Sequence, residues 1–207
     1  VRTTSASTNC SINLSPKPGK QYWKNCHREW REEFIYFLLV DRFHDNAQRS
    51  PLAFADRHPG FGTKEQLVKS CGGTLRGILQ HLDYIKNLGC TALWLSPVFE
   101  NNLHSYHGYA IQNYLEVDKR WGTKDDLETL VDAAHERDMR VFLDIVLDHS
   151  GDNWFYAEGN DYFYFQGERF PFGGWRSKNR PLPVELRNPE LYNRQGQIRN
   201  FDTYPEA

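Results

Sequence analysis

Two acidic residues and a histidine accompany one short apolar segment near the middle of the chain. The segment runs from Arg140 to Asn153 and reads RVFLDIVLDHSGDN. Its first half predicts a strand, Val141 to Val146, buried on both faces of a parallel sheet. Asp144 would then lie in or at the rim of a core, where an unpaired carboxylate is costly. Asp148 and His149 follow where the strand should end, and such residues at the end of a parallel strand are typical of a ligand pocket.

Two other interpretations of these polar residues stay open. Asp144 could be a buried aspartate that only fixes a loop through backbone hydrogen bonds. Asp144, Asp148 and His149 could instead be ligands in a metal-dependent hydrolase, because a catalytic metal site takes about three protein ligands from a pocket and leaves one position open.

Strand and helix patterns alternate in front of this segment. Phe34 to Val40 predicts one buried strand, and Thr91 to Leu95 predicts a second. Thr74 starts apolar residues at helical spacing that end at Gly89, and Thr123 is placed to cap a second helix. This order, with a long loop after each strand, predicts parallel βα units. It favours an α/β fold of the (β/α)8 TIM-barrel type over a doubly wound sheet, and the nucleotide fingerprint G-x-G-x-x-G is absent.

The patterns divide the chain into three regions. Residues 1–32 are polar and are predicted to form an N-terminal arm, and residues 33–150 the first part of a (β/α)8 barrel. Residues 151–207 are rich in aromatic residues, proline and glycine, and are predicted to begin an irregular domain inserted after the third strand. Because such a barrel takes ~250 residues and only three βα units are recognised, we expect the chain to stop partway through it.

Composition limits the classes of partner. Net charge is −2, with 25 basic and 27 acidic residues among 207, so nothing points to nucleic acid or to an anionic membrane surface. No apolar segment approaches the ~18 residues needed to cross a bilayer. Aromatic residues make up 14%, a slight indication of carbohydrate, since aromatic faces stack on sugar rings.

The four cysteines show no metal-binding spacing. Cys90 begins an apolar segment and is predicted to be a buried thiol. Cys10 and Cys26 could pair in an exported protein, and the sequence leaves that pairing open. A secreted or periplasmic location is slightly favoured over a cytoplasmic one.

Four ordered motifs resemble those of the α-amylase family of glycoside hydrolases. They are Asp41-Arg42-Phe43 after the first strand, Cys90 to Pro97 around the second, Tyr106-His107-Gly108-Tyr109 in the next loop, and Asp144 to His149 at the third strand. The resemblance covers about residues 34 to 207. It implies an enzyme of carbohydrate metabolism that acts on α-glucosidic bonds of starch-like α-glucans or maltooligosaccharides by a retaining double displacement.

The resemblance also implies a role for each matched residue. Tyr109 would stack on the sugar ring where the bond is cleaved, and His107 and His149 would hydrogen-bond hydroxyls of that sugar. Asp144 would organise the pocket by pairing with an arginine beyond residue 207. Asp148 stands where the family usually has an asparagine calcium ligand, so it could keep a structural calcium or pair with another cation in an enzyme that has lost the ion.

No catalytic residue is assigned within these 207 residues. Retaining glycosidases need two carboxylates ~5–5.5 Å apart, and the family places its catalytic acids after later strands. We therefore expect the full-length protein to be an enzyme, with the missing C-terminal part of the barrel as partner, and the 207-residue chain alone to be inactive. A non-catalytic carbohydrate-binding or interaction relative is a further alternative, against which the intact Tyr109, His107 and His149 argue.

Overall fold

The structure is a computed structural model that describes residues 28–46, 70–103, 105–159, 162–164, 167 and 169–197. Most of the predicted N-terminal arm, with Cys10 and Cys26, lies outside these residues. The described strands are β1 (Ile35–Leu38), β2 (Ala92–Leu95), β3 (Phe99–Asn101), β4 (Ile111–Val117), β5 (Arg140–Leu143), β6 (Trp154–Tyr156) and β7 (Phe172–Trp175). The described helices are α1 (Val40–Phe43), α2 (Leu75–Gln80), α3 (Leu82–Asn87) and α4 (Lys124–Glu136), with 3-10 turns at Trp30–Glu32, Ala157–Gly159, Val184–Arg187 and Pro189–Leu191.

The three strands predicted from apolar segments form one parallel sheet in the order β1-β2-β5. Leu38, Leu95 and Leu143 are in register, so the carboxyl ends of the strands lie along one edge. The prediction of parallel βα units is confirmed for these elements. Polar residues that follow the three strands are thereby placed side by side.

Two of the predicted strands are too long. β1 ends at Leu38, and Val40 already begins α1. β5 ends at Leu143, so Asp144 lies after the strand rather than inside it. The last ladder bond runs from the Asp144 N–H to the Leu95 carbonyl at 3.4 Å. Because Pro97 has no N–H to continue the pairing, the ladder stops there.

The helices cover one face of the sheet and form the core with it. Leu38, Leu93 and Leu95 pack in one cluster with buried residues of the helices, namely Leu75, Ile78, Leu82, Ile85, Leu130 and Ala134. Thr123 caps α4 as predicted, and its hydroxyl and the Asp126 carboxylate form a reciprocal capping box. Cys90 is a buried free thiol, as predicted.

The predicted helix from Thr74 to Gly89 is divided at His81 into α2 and α3. α2 lies so close to the end of α1 that a Cβ on Gly77 would be 1.9 Å from the His44 carbonyl oxygen. A glycine inside this helix is therefore required by backbone packing, although glycine lowers helix propensity.

The prediction that the strands are buried on both faces is wrong for the described residues. Ile35, Phe37 and Trp94 lie on the face opposite the helices and are 43%, 47% and 42% exposed. In the part of the chain that the structure describes, no layer of helices covers this second face. We call it the bare face, defined by Ile35, Phe37, Trp94 and Phe142.

A β-hairpin occupies part of the segment that the sequence analysis treated as a loop, residues 98–120. β3 pairs antiparallel with β4, with two irregularities in register. The strand pattern of alternating apolar and polar residues is hard to recognise in β4, because Ile111 and Asn113 share its buried side and one of them is polar. The hairpin matters because its connecting loop carries Tyr109.

The region after Gly151 is more ordered than predicted. β6 and β7 form a two-stranded antiparallel sheet. The rings of Trp154, Phe172, Trp175 and Tyr192 contact one another above it. The region is attached to the hairpin through Leu182, whose N–H donates to the Gln112 carbonyl at 3.0 Å. No helix in the described residues combines the length and apolar composition needed to cross a membrane.

The described end of the predicted arm packs on the sheet. The carboxylate of Glu33 is fully buried and forms an ion pair with Arg140, with Oε1 3.0 Å from Nε. The Trp30 ring lies 5.5 Å from that of Phe142, and the Arg140 guanidinium lies 3.9 Å above the same indole. Residues 28–32 therefore belong with the sheet rather than with a separate arm.

Candidate functional site

The loop between β3 and β4 reaches the carboxyl edge of the sheet because one of its residues is glycine. Gly108 has φ +92°, and a Cβ there would lie 2.3 Å from the Pro97 carbonyl oxygen. Only glycine tolerates both the left-handed backbone and this close approach. The two neighbours of Gly108, His107 and Tyr109, are thereby held over the end of β2.

Tyr109 and Asp144 meet directly at this edge. The Tyr109 hydroxyl donates to Asp144 Oδ2 at 3.0 Å, and the indole N–H of Trp94 donates to the same oxygen at 3.2 Å. Burial raises the pKa of Tyr109 to about 12, and the hydrogen bond to Asp144 and its charge act in the same direction. The phenol therefore stays protonated at neutral pH and remains a donor to Asp144.

The two predicted histidines both contact the backbone of Tyr109. His107 Nδ1 accepts the backbone N–H of Tyr109 at 3.0 Å, and the two rings are nearly parallel with centroids 5.8 Å apart. His149 Nε2 lies 2.8 Å from the Tyr109 carbonyl oxygen. Burial lowers the pKa of His107, and the charge of His149 lowers it further. The structure thus brings Tyr109, His107, Asp144 and His149 together.

Asp144 does not lie in a core with an unpaired charge. It is half-buried, and its partners are Tyr109 and Trp94. The arginine that the resemblance implies for it would come from sequence beyond residue 207. Trp94 was missed in the sequence analysis, although a tryptophan near a strand end needs a hydrogen-bond partner for its N–H.

Asp148 contacts this cluster through His149 and is otherwise exposed. Its side chain is 85% exposed, and Oδ1 lies 3.1 Å from His149 Nδ1. The described residues contain no group of three or more His, Cys, Asp or Glu side chains that could hold a metal ion. Calcium takes about 6–8 oxygen ligands, which include backbone carbonyls and waters as well as carboxylates. A calcium ion bound by Asp148 therefore stays a prediction.

Two hollows adjoin the cluster. One of about 310 Å³ lies on the bare face and is bordered by Trp94, Phe142 and Asp144. A larger one of about 980 Å³ lies between the segment that follows β5 and the region after Gly151, and its walls include His149, Trp154 and Tyr192. His149 therefore stands between the Tyr109 cluster and a cavity with aromatic walls.

A sheet of parallel βα units with polar side chains along its carboxyl edge is the arrangement of (β/α) enzymes that bind ligands at that edge. The chain belongs to the α-amylase family, because the family model "Alpha amylase, catalytic domain" matches residues 37–188. The resemblance found from the four motifs is confirmed at the level of the family, which is one of TIM-barrel glycoside hydrolases.

Individual relatives agree with this assignment. The chain is 37% identical over 156 residues to alpha-amylase 2 of Dictyoglomus thermophilum, covering 67% of this chain and 25% of the relative. It is 34% identical over 137 residues to the periplasmic alpha-amylase of Escherichia coli, covering 59% of this chain and 20% of the relative.

A solved structure is similar as well. The alpha-amylase of Geobacillus thermoleovorans, solved in complex with acarbose, aligns with a TM-score of 0.52 at 40% identity over 69% of this chain and 30% of that one. The matched part of the chain spans about a quarter of the length of the curated relative from Dictyoglomus thermophilum.

Proposed function

We propose that the protein containing this chain cleaves or transfers α-glucosidic bonds of starch-like α-glucans by a retaining double displacement. The arrangement that carries the proposal is the hydrogen bond between Tyr109 and Asp144, with His107 at the backbone N–H and His149 at the carbonyl oxygen of the tyrosine. This cluster lies at the carboxyl edge of a parallel sheet, where enzymes of this architecture bind their substrates.

Each residue of the cluster has a distinct task in this proposal. The Tyr109 ring supplies an aromatic surface for the sugar at the bond to be cleaved. His107 and His149 supply hydrogen-bonding groups for its hydroxyls, and Asp144 fixes the position of the phenol. For His149 this requires a hydroxyl to replace the Tyr109 carbonyl or Asp148 as the partner of a ring nitrogen. The reaction also needs two carboxylates ~5–5.5 Å apart, and we assign neither of them to these 207 residues. In the family barrel they follow later strands.

The experiment compares Tyr109→Ala with Tyr109→Phe in the full-length protein. Tyr109→Ala removes the stacking surface and should raise the barrier for maltooligosaccharide cleavage by about 1–3 kcal/mol, measured as the loss of kcat/KM. Tyr109→Phe keeps the ring and loses only the bond to Asp144, so its loss should be smaller. Proton NMR of the first product should show a retained α-anomer.

Two results would contradict the proposal. A wild-type rate from Tyr109→Ala would mean that the ring only fills space. A full-length protein that binds maltooligosaccharide without turnover would favour the non-catalytic alternative. The metal-dependent hydrolase is not favoured, since Asp144 is engaged by Tyr109 and Trp94 rather than directed at Asp148 and His149.

The proposal also includes a structural calcium ion at Asp148 and export of the protein. If a structural calcium ion is bound at Asp148, chelation should lower the Tm of the full-length wild-type protein, and Asp148→Ala should remove this response. Equal decreases in Tm in the wild type and in Asp148→Ala would contradict the calcium site.

Export of the protein is supported by the periplasmic location named for the Escherichia coli relative, and cell fractionation tests it.

A further inference from the structure

A second polar cluster lies beside the loop that carries Tyr109. It contains Asp118 and Arg120, which follow β4, and Asn101 at the end of β3. Asp118 is 4% exposed and Asn101 is 5% exposed. Buried polar groups need partners within the protein, so their bonds show what the cluster holds in place.

The carboxylate of Asp118 fixes the direction of the Arg120 side chain. Oδ1 accepts from Arg120 Nε at 2.9 Å, and Oδ2 accepts from Nη2 at 2.6 Å. The same carboxylate accepts the backbone N–H of Asn101 at 3.0 Å. A two-pronged contact of this kind orients the planar guanidinium, which a single contact would leave free to turn.

Arg120 then reaches into the loop. Nη1 donates to the Leu103 carbonyl at 3.0 Å, and Nη2 donates to the Asn102 carbonyl at 3.3 Å. Both carbonyls lie at the start of the loop, directly after β3 and before His107 and Tyr109. One side chain thus joins the buried carboxylate to two successive peptide groups of the loop.

Asn101 holds the other end of the same loop. Its Oδ1 accepts the Ala110 N–H at 2.7 Å and the Ser105 hydroxyl at 3.2 Å. The N–H of Asn102 donates to the Ala110 carbonyl at 2.9 Å. The Ser105 hydroxyl oxygen also lies 3.4 Å from the ring nitrogens of His107. The cluster therefore closes the loop at its base and touches a residue of the site.

We propose that Arg120, oriented by Asp118, is a positioning residue that sets the conformation of residues 102–103 and 105–110 and so the placement of His107 and Tyr109. Arg120 contacts neither residue directly and acts through the Asn102 and Leu103 carbonyls. A displacement of about 1 Å at a site can lower the rate on the order of 100-fold. The effect on catalysis rests on the proposed function, whereas the effect on the loop does not.

The test uses a conservative variant and a matched control in the full-length protein. Arg120→Lys keeps a positive charge beside Asp118 but cannot contact the carboxylate and both carbonyls together. Arg137→Lys is the control, because Arg137 also donates to a carboxylate, that of Asp83, through Nε at 2.7 Å and Nη2 at 3.3 Å. Arg137 Nη1 likewise donates to a carbonyl, that of Ala133 at 3.0 Å, at the end of α4.

Two readouts follow the loop without substrate. Hydrogen exchange should become at least about 10-fold faster for amides of residues 102–103 and 105–110 in Arg120→Lys, while α4 keeps its protection. The pKa of His107, followed by NMR of labelled histidine, should rise toward its ordinary value as the loop opens and the ring becomes solvated. Arg137→Lys should change neither quantity.

The third readout is activity. In Arg120→Lys, kcat should fall about 10-fold with KM changed less than about 3-fold, since placement at the cleaved bond is lost while other substrate contacts remain. Unchanged loop exchange and an unchanged His107 pKa, or equal changes in Arg137→Lys, would overturn the positioning role. If the wild-type full-length protein has no glycosidase activity, but Arg120→Lys still changes the loop exchange and the His107 pKa, the positioning role is supported and the proposed function is refuted.

Discussion

Leu93 and Trp94 are neighbours on β2, and they show how differently the two faces of the sheet are used. Leu93 is fully buried in the core beneath the helices, whereas Trp94 is 42% exposed on the bare face. Trp94 nevertheless makes a polar contact that Leu93 cannot make, because its indole N–H donates to Asp144. One face therefore supplies the packed core of the described residues, and the other leads to the site.

This difference separates stability from function within one short strand. The helix-covered face gains free energy from burial, which depends on volume and fit. The bare face and the carboxyl edge gain little from burial and depend on the direction of a few hydrogen bonds around Tyr109. Substitutions on the helix-covered face should consequently lower stability, whereas those on the bare face and carboxyl edge should mainly disturb the site. The following predictions are ordered by the size of the expected effect.

The largest effect is expected for Leu93→Ala. Removing this buried side chain should lower the free energy of unfolding by about 2–5 kcal/mol, from lost transfer free energy and from the cavity left behind. Urea unfolding of the 207-residue chain measures it. Trp94→Ala is the control on the opposite face, and its loss should be clearly smaller because the indole is already partly in water. Equal losses in Leu93→Ala and Trp94→Ala would mean that the two faces contribute equally to the free energy of unfolding.

Gly77→Ala should have the next largest effect. Alanine gains up to about 1 kcal/mol in helix propensity over glycine. Its Cβ, however, would lie 1.9 Å from the His44 carbonyl oxygen and 2.6 Å from the carbonyl carbon. Backbone atoms cannot turn aside as a side-chain end can, so overpacking at the upper end of ~1–3 kcal/mol should outweigh the propensity.

We therefore expect a net loss of about 2 kcal/mol for Gly77→Ala in urea unfolding. Gln80→Ala, on the exposed side of the same helix, is the matched control and should stay within about 0.5 kcal/mol. A more stable Gly77→Ala protein would show that α2 does not pack against the end of α1 as closely as the structure has it.

The elements of the covered face were the easier part to predict from the sequence. Their apolar residues recur at strand or helix spacing, and Thr123 marks the start of α4 because its cap is a local interaction. The strand ends were harder, since the end of β5 depends on Pro97, which follows the neighbouring strand β2, rather than on its own residues. The division at His81 and the need for glycine at Gly77 likewise depend on tertiary contacts.

Tyr109 and His107 were found by resemblance and Asp144 and His149 by their place at a strand end, and the contacts among them were not predicted. Spacing indicated that Asp144 and His149 would lie at one edge, but it could not show that Asp144 accepts from Trp94 and Tyr109. The Asp118–Arg120 cluster was missed for the same reason. Its bonds connect residues up to 18 positions apart across a hairpin with irregular register, and such pairings follow from the fold rather than from periodicity.

The smallest effect should be a pH dependence of the stability that Asp118 contributes. The apolar residues of the helix-covered face should show no such dependence. Burial alone would raise the pKa of Asp118, but hydrogen bonds from the Arg120 side chain and the Asn101 N–H together lower it below its ordinary value. A carboxyl group whose pKa is lower in the folded state contributes stability above its unfolded pKa of ~3.9 and loses it as the pH falls through the folded value. The free-energy gap between wild type and Asp118→Asn should therefore be full at pH 7 and shrink below about pH 4. The gap for Leu93→Ala should stay constant over the same range, since no charge is involved; a constant gap for Asp118→Asn would mean that its carboxylate gains nothing from Arg120.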